Sequence, residues 1–261
     1  MSKPKLGIDI DEILRAKWLA FDRYYVEEFG EEGVTEPFDT YNLRNHYKFV
    51  ETEEVQEFLN DDFLEDKDLQ KMSPTEYLVD EKTGRAAVDD VALRKEKKVY
   101  TADEMFEKFM YVDYCYDIHA SAPKLYLNAD VDLNVFLKLF SEYFDIFFYV
   151  KTKKQAIPST LFFLSKMRIE VKNILFAYDD QEIWDKLDWI ITTNPYMLDN
   201  KPTNKTTIKL TRLYNVASPA DYTCDQGTLF GLTNQQADEN GLVGVTEFKK
   251  FLNDKLNFNI K

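Results

Sequence analysis

The sequence predicts an α/β chain, a parallel sheet whose first strand is followed by a mostly helical insertion, with an extension beyond the last strand. Three observations carry that reading. Residues 5–10, Lys-Leu-Gly-Ile-Asp-Ile, form a short apolar strand that ends in carboxylates. Residues 34–122 differ in texture, being charge-rich with few strand signals. From Ala122 onward, apolar runs of strand length alternate with amphipathic helical ones, the pattern of βαβ units.

After the first strand, Asp11-Glu12 break the run. Leu14, Trp18, Phe21, Tyr25 and Phe29 then recur at helical spacing until Gly30 and Gly33. In the insertion, Ser73-Pro74-Thr75-Glu76 reads as a helix start, with Ser as N-cap and Pro at the first helical position. Thr101-Ala102-Asp103-Glu104 repeats the capping-box logic before Met105, Phe106, Phe109 and Met110. Between them, Asp80 to Lys98 is polar and is expected to hold a turn or small hairpin around Lys82-Thr83-Gly84. Arg94 to Lys98 reads as a solvated basic face.

Leu133, Phe136, Leu137 and Phe140 then mark a helix, Phe144 to Val150 a strand, and Thr160 to Met167 a helix. Short strands are expected at Asn173–Ala177, Trp189–Thr192 and Thr207–Leu210. In the tail, Thr246 starts a last helix with Phe248, Phe251, Leu252 and Leu256 on one face. Asp238-Glu239-Asn240-Gly241 imitates the start of a calcium loop, but acidic ligands do not follow at the required offsets. The expected organisation is a core of 1–21 plus 122–212, an insertion over 22–121 and an extension over 213–261.

With 44% apolar and 15% aromatic residues, and only 8 Gly and 8 Pro in 261, the chain has the material for a packed core. That excludes disordered and fibrous classes. The 47 Asp plus Glu exceed the 33 Lys plus Arg, for a formal net charge of −14. General nucleic-acid binding, which needs a basic face, is therefore not expected, although a local basic pocket is compatible with that charge. No run approaches the ~18 apolar residues of a membrane helix, and the opening Met1 to Lys5 has no signal-peptide core. Cys115 and Cys224 have neither metal-ligand spacing nor a disulfide framework.

The sharpest chemical feature is Gly7-Ile8-Asp9-Ile10-Asp11. Two carboxylates, two residues apart, end the first strand, where α/β sheets bind ligands. Such a pair holds Mg²⁺, or attacks phosphorus with one member while the other handles the leaving-group proton. A purely local reading makes Asp11 the start of a turn and Asp9 a helix cap. His46 and His119 lack a neighbouring nucleophile and read as packing or hydrogen-bonding residues. No glycine-rich phosphate loop, zinc spacing or serine elbow is present.

On these residues the chain resembles the haloacid-dehalogenase (HAD) superfamily of phosphohydrolases. The insertion falls where one class of HAD cap is placed. Asp145 to Thr152 looks like the second-motif strand, with Thr152 as the phosphate-binding hydroxyl and Lys151, Lys153 and Lys154 around it. Asp188 to Pro195 looks like the fourth-motif strand of the 5′(3′)-deoxyribonucleotidase branch, and Tyr214-Asn215 echoes that branch's ending. The wider pattern, including Tyr116 to Pro123, is similar to HAD-like proteins of crAss-like tailed phages.

The resemblance implies a Rossmannoid parallel sheet, Mg²⁺ held at Asp9 and Asp11, and two further acids from the fourth motif. Those positions hold Thr192 and Thr193, and the third strand runs into Asp179-Asp180 where a lysine is due. A rival register takes Asp179 and Asp180 as the fourth-motif acids and Lys166 or Lys172 as the lysine, at the cost of leaving the third strand missing. Two functions follow. The first is a catalytically degenerate HAD-like structural or assembly component of a phage particle, working through contacts with other proteins in the virion or the infected cytoplasm. The second is a Mg²⁺-dependent deoxynucleoside monophosphate hydrolase with Asp9 as nucleophile, Asp11 as general acid/base, Thr152 on the phosphate and Lys166 or Lys172 stabilising charge.

Overall fold

The computed structural model describes residues 3–30, 41, 43–59, 93–125, 133–167, 171–224 and 253–254. The chain divides into two compact units, Met1–Tyr47 with Lys108–Lys261, and Lys48–Glu107.

The first unit is built on a six-stranded, wholly parallel sheet. Its strands are β1 (Lys5–Asp9), β4 (Asp145–Lys151), β5 (Ile174–Ala177), β6 (Trp189–Thr192), β7 (Thr206–Leu210) and β8 (Tyr222–Cys224), in the spatial order β5-β4-β1-β6-β7-β8. Strand β1 therefore lies between β4 and β6, in register Leu6↔Ile146 and Leu6↔Trp189. Parallel neighbours need crossovers, and the helices that make them cover both faces. Helices α4 (Leu133–Phe140) and α5 (Ile157–Lys166) bring Leu133, Phe140, Phe163 and Leu164 against Leu6, Ile8, Phe148, Val150 and Ile191. On the other face, α6 (Asp180–Lys186) and α7 (Pro195–Asp199) bring Ile183, Trp184 and Met197 against Tyr149, Leu175 and Ile190.

The period-2 alternation of β1 fits this double burial. Leu6 and Ile8 fill one core, while Gly7 faces Leu187 and Tyr149 of the other. A Cβ at Gly7 would lie 2.3 Å from Leu187 Cδ1 and 2.8 Å from Tyr149 Cδ1, so the second face closes on the strand only because position 7 has no side chain.

The strands expected at 5–10, 144–150, 173–177, 189–192 and 207–210 are all present within a residue or two. Strand β8 lies in the tail and was not anticipated, since Tyr-Thr-Cys is too short to carry a pattern. Helix α1 (Lys17–Phe29) starts later than its apolar spacing suggests, because Leu14 belongs to the loop after β1. It ends where expected, with Gly30 at φ 65° donating its N–H to the Val26 carbonyl. Its Phe21 and Tyr25 pack with tilted or edge-on rings against Tyr47 and Phe109, the latter in a π-helical turn over Phe109–Asp113 that leads to α3 (Cys115–Ala120).

The second unit contains a two-stranded ribbon within the insertion. Two eight-residue strands, β2 (Thr52–Leu59) and β3 (Leu93–Tyr100), pair antiparallel from Thr52↔Tyr100 to Leu59↔Leu93. Glu-rich β2 lies opposite Lys-rich β3, with Glu54 facing Lys98 and Glu57 facing Lys95 in the register. Strands this rich in charged residues carry little apolar alternation, so they escape a hydrophobicity reading. The basic run Arg94–Lys98 is thus strand. The capping box is as expected: Thr101 N–H donates to Glu104 Oε2 at 2.9 Å, Glu104 N–H donates to Thr101 Oγ1 at 3.3 Å, and α2 (Ala102–Lys108) follows. The helix start at Ser73, the turn at Lys82–Gly84, Gly33, the Asp238–Gly241 segment and the helix from Thr246 lie outside the described residues, apart from 253–254, which are helical.

A candidate active site closed by internal ion pairs

Strand β1 delivers Asp9 to the carboxyl end of the sheet, and pairing continues one residue further through Ile10 N–H to the Tyr149 carbonyl. The chain then coils tightly. Leu14 and Arg15 N–H both donate to the Ile10 carbonyl, and Glu12, at φ 58°, donates its N–H to the Arg15 carbonyl. A non-glycine residue in the left-handed region costs free energy and is held there by its surroundings. The coil sets five charged side chains, those of Asp9, Asp11, Glu12, Arg15 and Lys17, inside the protein, none more than 9% exposed.

Their pairing is specific. Arg15 Nε donates to Asp11 Oδ1 at 2.6 Å, and Lys17 Nζ donates to Asp11 Oδ2 at 2.6 Å. Arg15 Nη1 reaches the His119 carbonyl at 2.7 Å and Thr160 Oγ1 at 3.0 Å, tying the loop to α3 and α5. Asp9 accepts from Asp11 N–H at Oδ1 (3.2 Å) and from Thr192 Oγ1 at Oδ2 (2.9 Å). Glu12 Oε1 accepts from Trp18 N–H at 3.1 Å.

Charge follows environment. Burial, reinforced by the neighbouring Asp11, pushes Asp9 up to about 8. Burial also lifts Glu12 to about 7. Burial acts the same way on Asp11, but Arg15 and Lys17 outweigh it and hold that carboxyl well below the usual range. Lys17 is raised, Asp11 overcoming its desolvation. Asp9 is therefore neutral below its raised pKa, while Asp11 is an anion fully occupied by two cations. The Tyr41 ring lies 5.5 Å from the Tyr214 ring, and burial, with Asp9 next, raises its phenol well above the ordinary value.

The other expected site residues lie as follows in the fold. Thr152 follows β4, buried, with its N–H on the Ala177 carbonyl and its hydroxyl without a partner. Lys151 pairs with Asp180 at 2.9 Å. Lys153 lies over the Tyr111 ring, 5.6 Å from its centroid, and Lys154 begins a 3₁₀ turn. Thr192 sits beside Asp9, and Thr193 is buried next in sequence with an unpartnered hydroxyl. Asp179 caps α6 by accepting Glu182 N–H at 2.8 Å. With Asp180, it follows β5, which β4 separates from β1. Lys166 Nζ donates to the Ala120 carbonyl at 3.0 Å. Lys172 precedes β5, at the opposite end of the sheet from Asp9. His46 is exposed, and His119 is buried and stacked on Tyr111.

The cations that pair with Asp11 are Arg15 and Lys17, not the Lys151, Lys153 and Lys154 that surround Thr152 in sequence. A signal existed. Both sit in the apolar stretch Ile13-Leu14-Arg15-Ala16-Lys17-Trp18, and basic residues entering a core require acidic partners.

The donor set does not fit Mg²⁺. Both Asp11 oxygens are taken by cations, Asp9 accepts two hydrogen bonds, and the remaining positions are threonines. A hard divalent ion needs anionic oxygens free to coordinate it. Among the described residues, no group of three or more His, Cys, Asp or Glu converges to hold a metal. None of their helices is long and apolar enough to cross a membrane.

No family model matches the chain, and no curated protein matches it. Among solved structures, the chain is similar to one described as a haloacid dehalogenase-like hydrolase from Burkholderia xenovorans, at 12% identity over 88% of this chain and 96% of that one, with a TM-score of 0.44. It is also similar to the HAD-hydrolase YfnB from Bacillus subtilis, a structure bound to magnesium, at 11% identity over 86% of this chain and 95% of that one, with a TM-score of 0.39.

Proposed function

We propose that the chain is a HAD-like scaffold that no longer hydrolyses phosphate esters and serves as a structural or assembly component of a tailed-phage particle through contacts with other proteins. The observation that carries the loss of catalysis is the closure of Asp11 by Arg15 and Lys17, each at 2.6 Å. An acid/base residue must exchange its proton near neutral pH, and two cations hold this one ionised. Phosphoryl transfer also places charge on equatorial oxygens that a metal and a lysine would neutralise, and losing one such stabilising group costs about 10²–10³ in rate. Here the cations are spent on Asp11 instead.

Exposed apolar side chains support the contact role. Tyr116 of α3 and Leu161 and Phe162 of α5 are between 43% and 52% exposed, and the Tyr116 and Phe162 rings lie 5.6 Å apart. Aromatic side chains grouped on a surface favour protein interfaces. The competing reading, a Mg²⁺-dependent deoxyribonucleotidase, draws on the buried, unpartnered Thr152 hydroxyl. Purified particles distinguish the two. A structural component is found in them at fixed stoichiometry and stays after chelator treatment. Its absence from particles would contradict the assembly role.

A further inference from the structure

Strand β7 puts Ile208 and Leu210 into one core, so the alternation of side chains turns Lys209 to the other face of a sheet covered on both sides. Lys209 is 5% exposed, and a lysine buried that deeply needs partners for its charge. Those partners are backbone carbonyls. Nζ donates to the Ser218 carbonyl at 2.7 Å, the Val216 carbonyl at 3.2 Å and the Asn215 carbonyl at 3.3 Å, and among the described residues no acid pairs with it. An ammonium has three N–H donors, and three acceptors meet them.

The carbonyls converge because of how the chain crosses from β7 to β8. Parallel neighbours are usually joined through a helix, but residues 211–221 hold only the 3₁₀ turn Leu213–Asn215. Past that turn the carbonyls have no helical ladder to join, and they curl around the lysine instead. Asn215 locks the same loop: its Nδ2 donates to the Thr193 and Leu210 carbonyls at 2.9 Å each, and its Oδ1 accepts Arg212 N–H at 2.8 Å. The loop also carries Tyr214, whose ring packs beside Tyr41.

We propose that the carbonyls of 215, 216 and 218 form a cup for a small monovalent cation, which the chain fills with its own Lys209 ammonium. Backbone carbonyls can take the place of the hydration shell of such a cation. A hard divalent ion calls for anionic oxygens, and an anion would face the negative ends of three carbonyl dipoles. With the side chain cut short, the cup passes to a free alkylammonium ion. The cup needs nothing from Asp9, so it stands whichever way the catalytic question falls.

Lys209→Ala tests it, because losing Cγ, Cδ, Cε and Nζ leaves room for ethylammonium. Thermal unfolding of the full chain is followed in ethylammonium chloride and, at equal ionic strength, in tetramethylammonium chloride, whose cation has the same charge and no N–H to give. In tetramethylammonium the variant should melt about 5 °C or more below wild type, its buried carbonyls left without a donor. Ethylammonium should restore most of that loss, saturably, and leave wild type unmoved. Lys209→Met fills the channel with an uncharged chain and should show the loss without the rescue. Should Lys209→Ala not fold in tetramethylammonium, the yield of refolding from urea in the two salts reads the same difference. An unchanged Tm in Lys209→Ala, an equal response to both salts, equal rescue of Lys209→Met, or folding in neither salt would each overturn the proposal.

Discussion

Lys17 Nζ lies 2.6 Å from Asp11 Oδ2, and that contact turns a carboxylate at the ligand-binding end of a parallel sheet into half of a buried ion pair. Arg15 completes it from the other side at 2.6 Å, with no exposure of its own. Buried charges persist only when paired, and removing one partner of such a set costs about 3–5 kcal/mol. Through Arg15, Asp11 thus helps tether the loop after β1 to α3 and α5.

Asp11→Asn should therefore destabilise the protein by about 3–5 kcal/mol, because Arg15 and Lys17 stay buried without their counter-charge. Urea denaturation of the variant measures it, and Asp11→Asn/Lys17→Met should recover part of the loss. A change below about 1 kcal/mol in the single variant would show that the pairs are incidental.

Magnesium should not stabilise the fold. A resident ion at a hundred times its Kd adds about 2.7 kcal/mol, a rise in Tm of about 5 °C or more for a chain of this size. Thermal unfolding with and without millimolar MgCl₂ should give the same Tm.

Stability should fall as pH rises from about 4 to 8. Asp9 is raised from 3.8 to about 8 and Glu12 from 4.5 to about 7, so between those limits the folded chain holds protons that the unfolded chain has released. Their contribution is full below the unfolded values and is lost as pH climbs through the folded ones. Asp11, lowered by its two cations, acts in the opposite sense and loses its contribution only in strong acid. Unfolding free energies from denaturant titrations across pH 5–8 should slope by up to about 1.4 kcal/mol per pH unit per group. Asp9→Asn should flatten that slope.

Gly7→Ala should cost about 1–3 kcal/mol, since the added methyl meets Leu187 and Tyr149 inside a packed core. Leu187→Ala in the same background opens room on that side and should recover part of the Gly7→Ala penalty, which a cycle of single and double variants measures.

The central sheet was legible because its strands are buried on both faces and read as apolar runs, Phe144–Val150 most clearly. The carboxyl-end position of Asp9 followed from that pattern, and the same pattern put Thr192 at the end of β6. The ribbon β2–β3 was illegible for the opposite reason: it is charged along its length, and its partnering depends on register rather than on periodicity. The roles of Arg15 and Lys17 were hidden because a linear reading treats basic residues near a helix start as solvent-facing. Only the coil around Glu12 turns them inward onto Asp11.

Phosphate release is the direct readout of whether phosphoryl transfer survives at Asp9. Wild type and Asp9→Asn are assayed on a panel of deoxynucleoside monophosphates with saturating Mg²⁺. With Asp11 held by Arg15 and Lys17, wild type should release no phosphate above the Asp9→Asn background. Mg²⁺-dependent turnover by wild type that Asp9→Asn abolishes would contradict it and make the chain a nucleotidase.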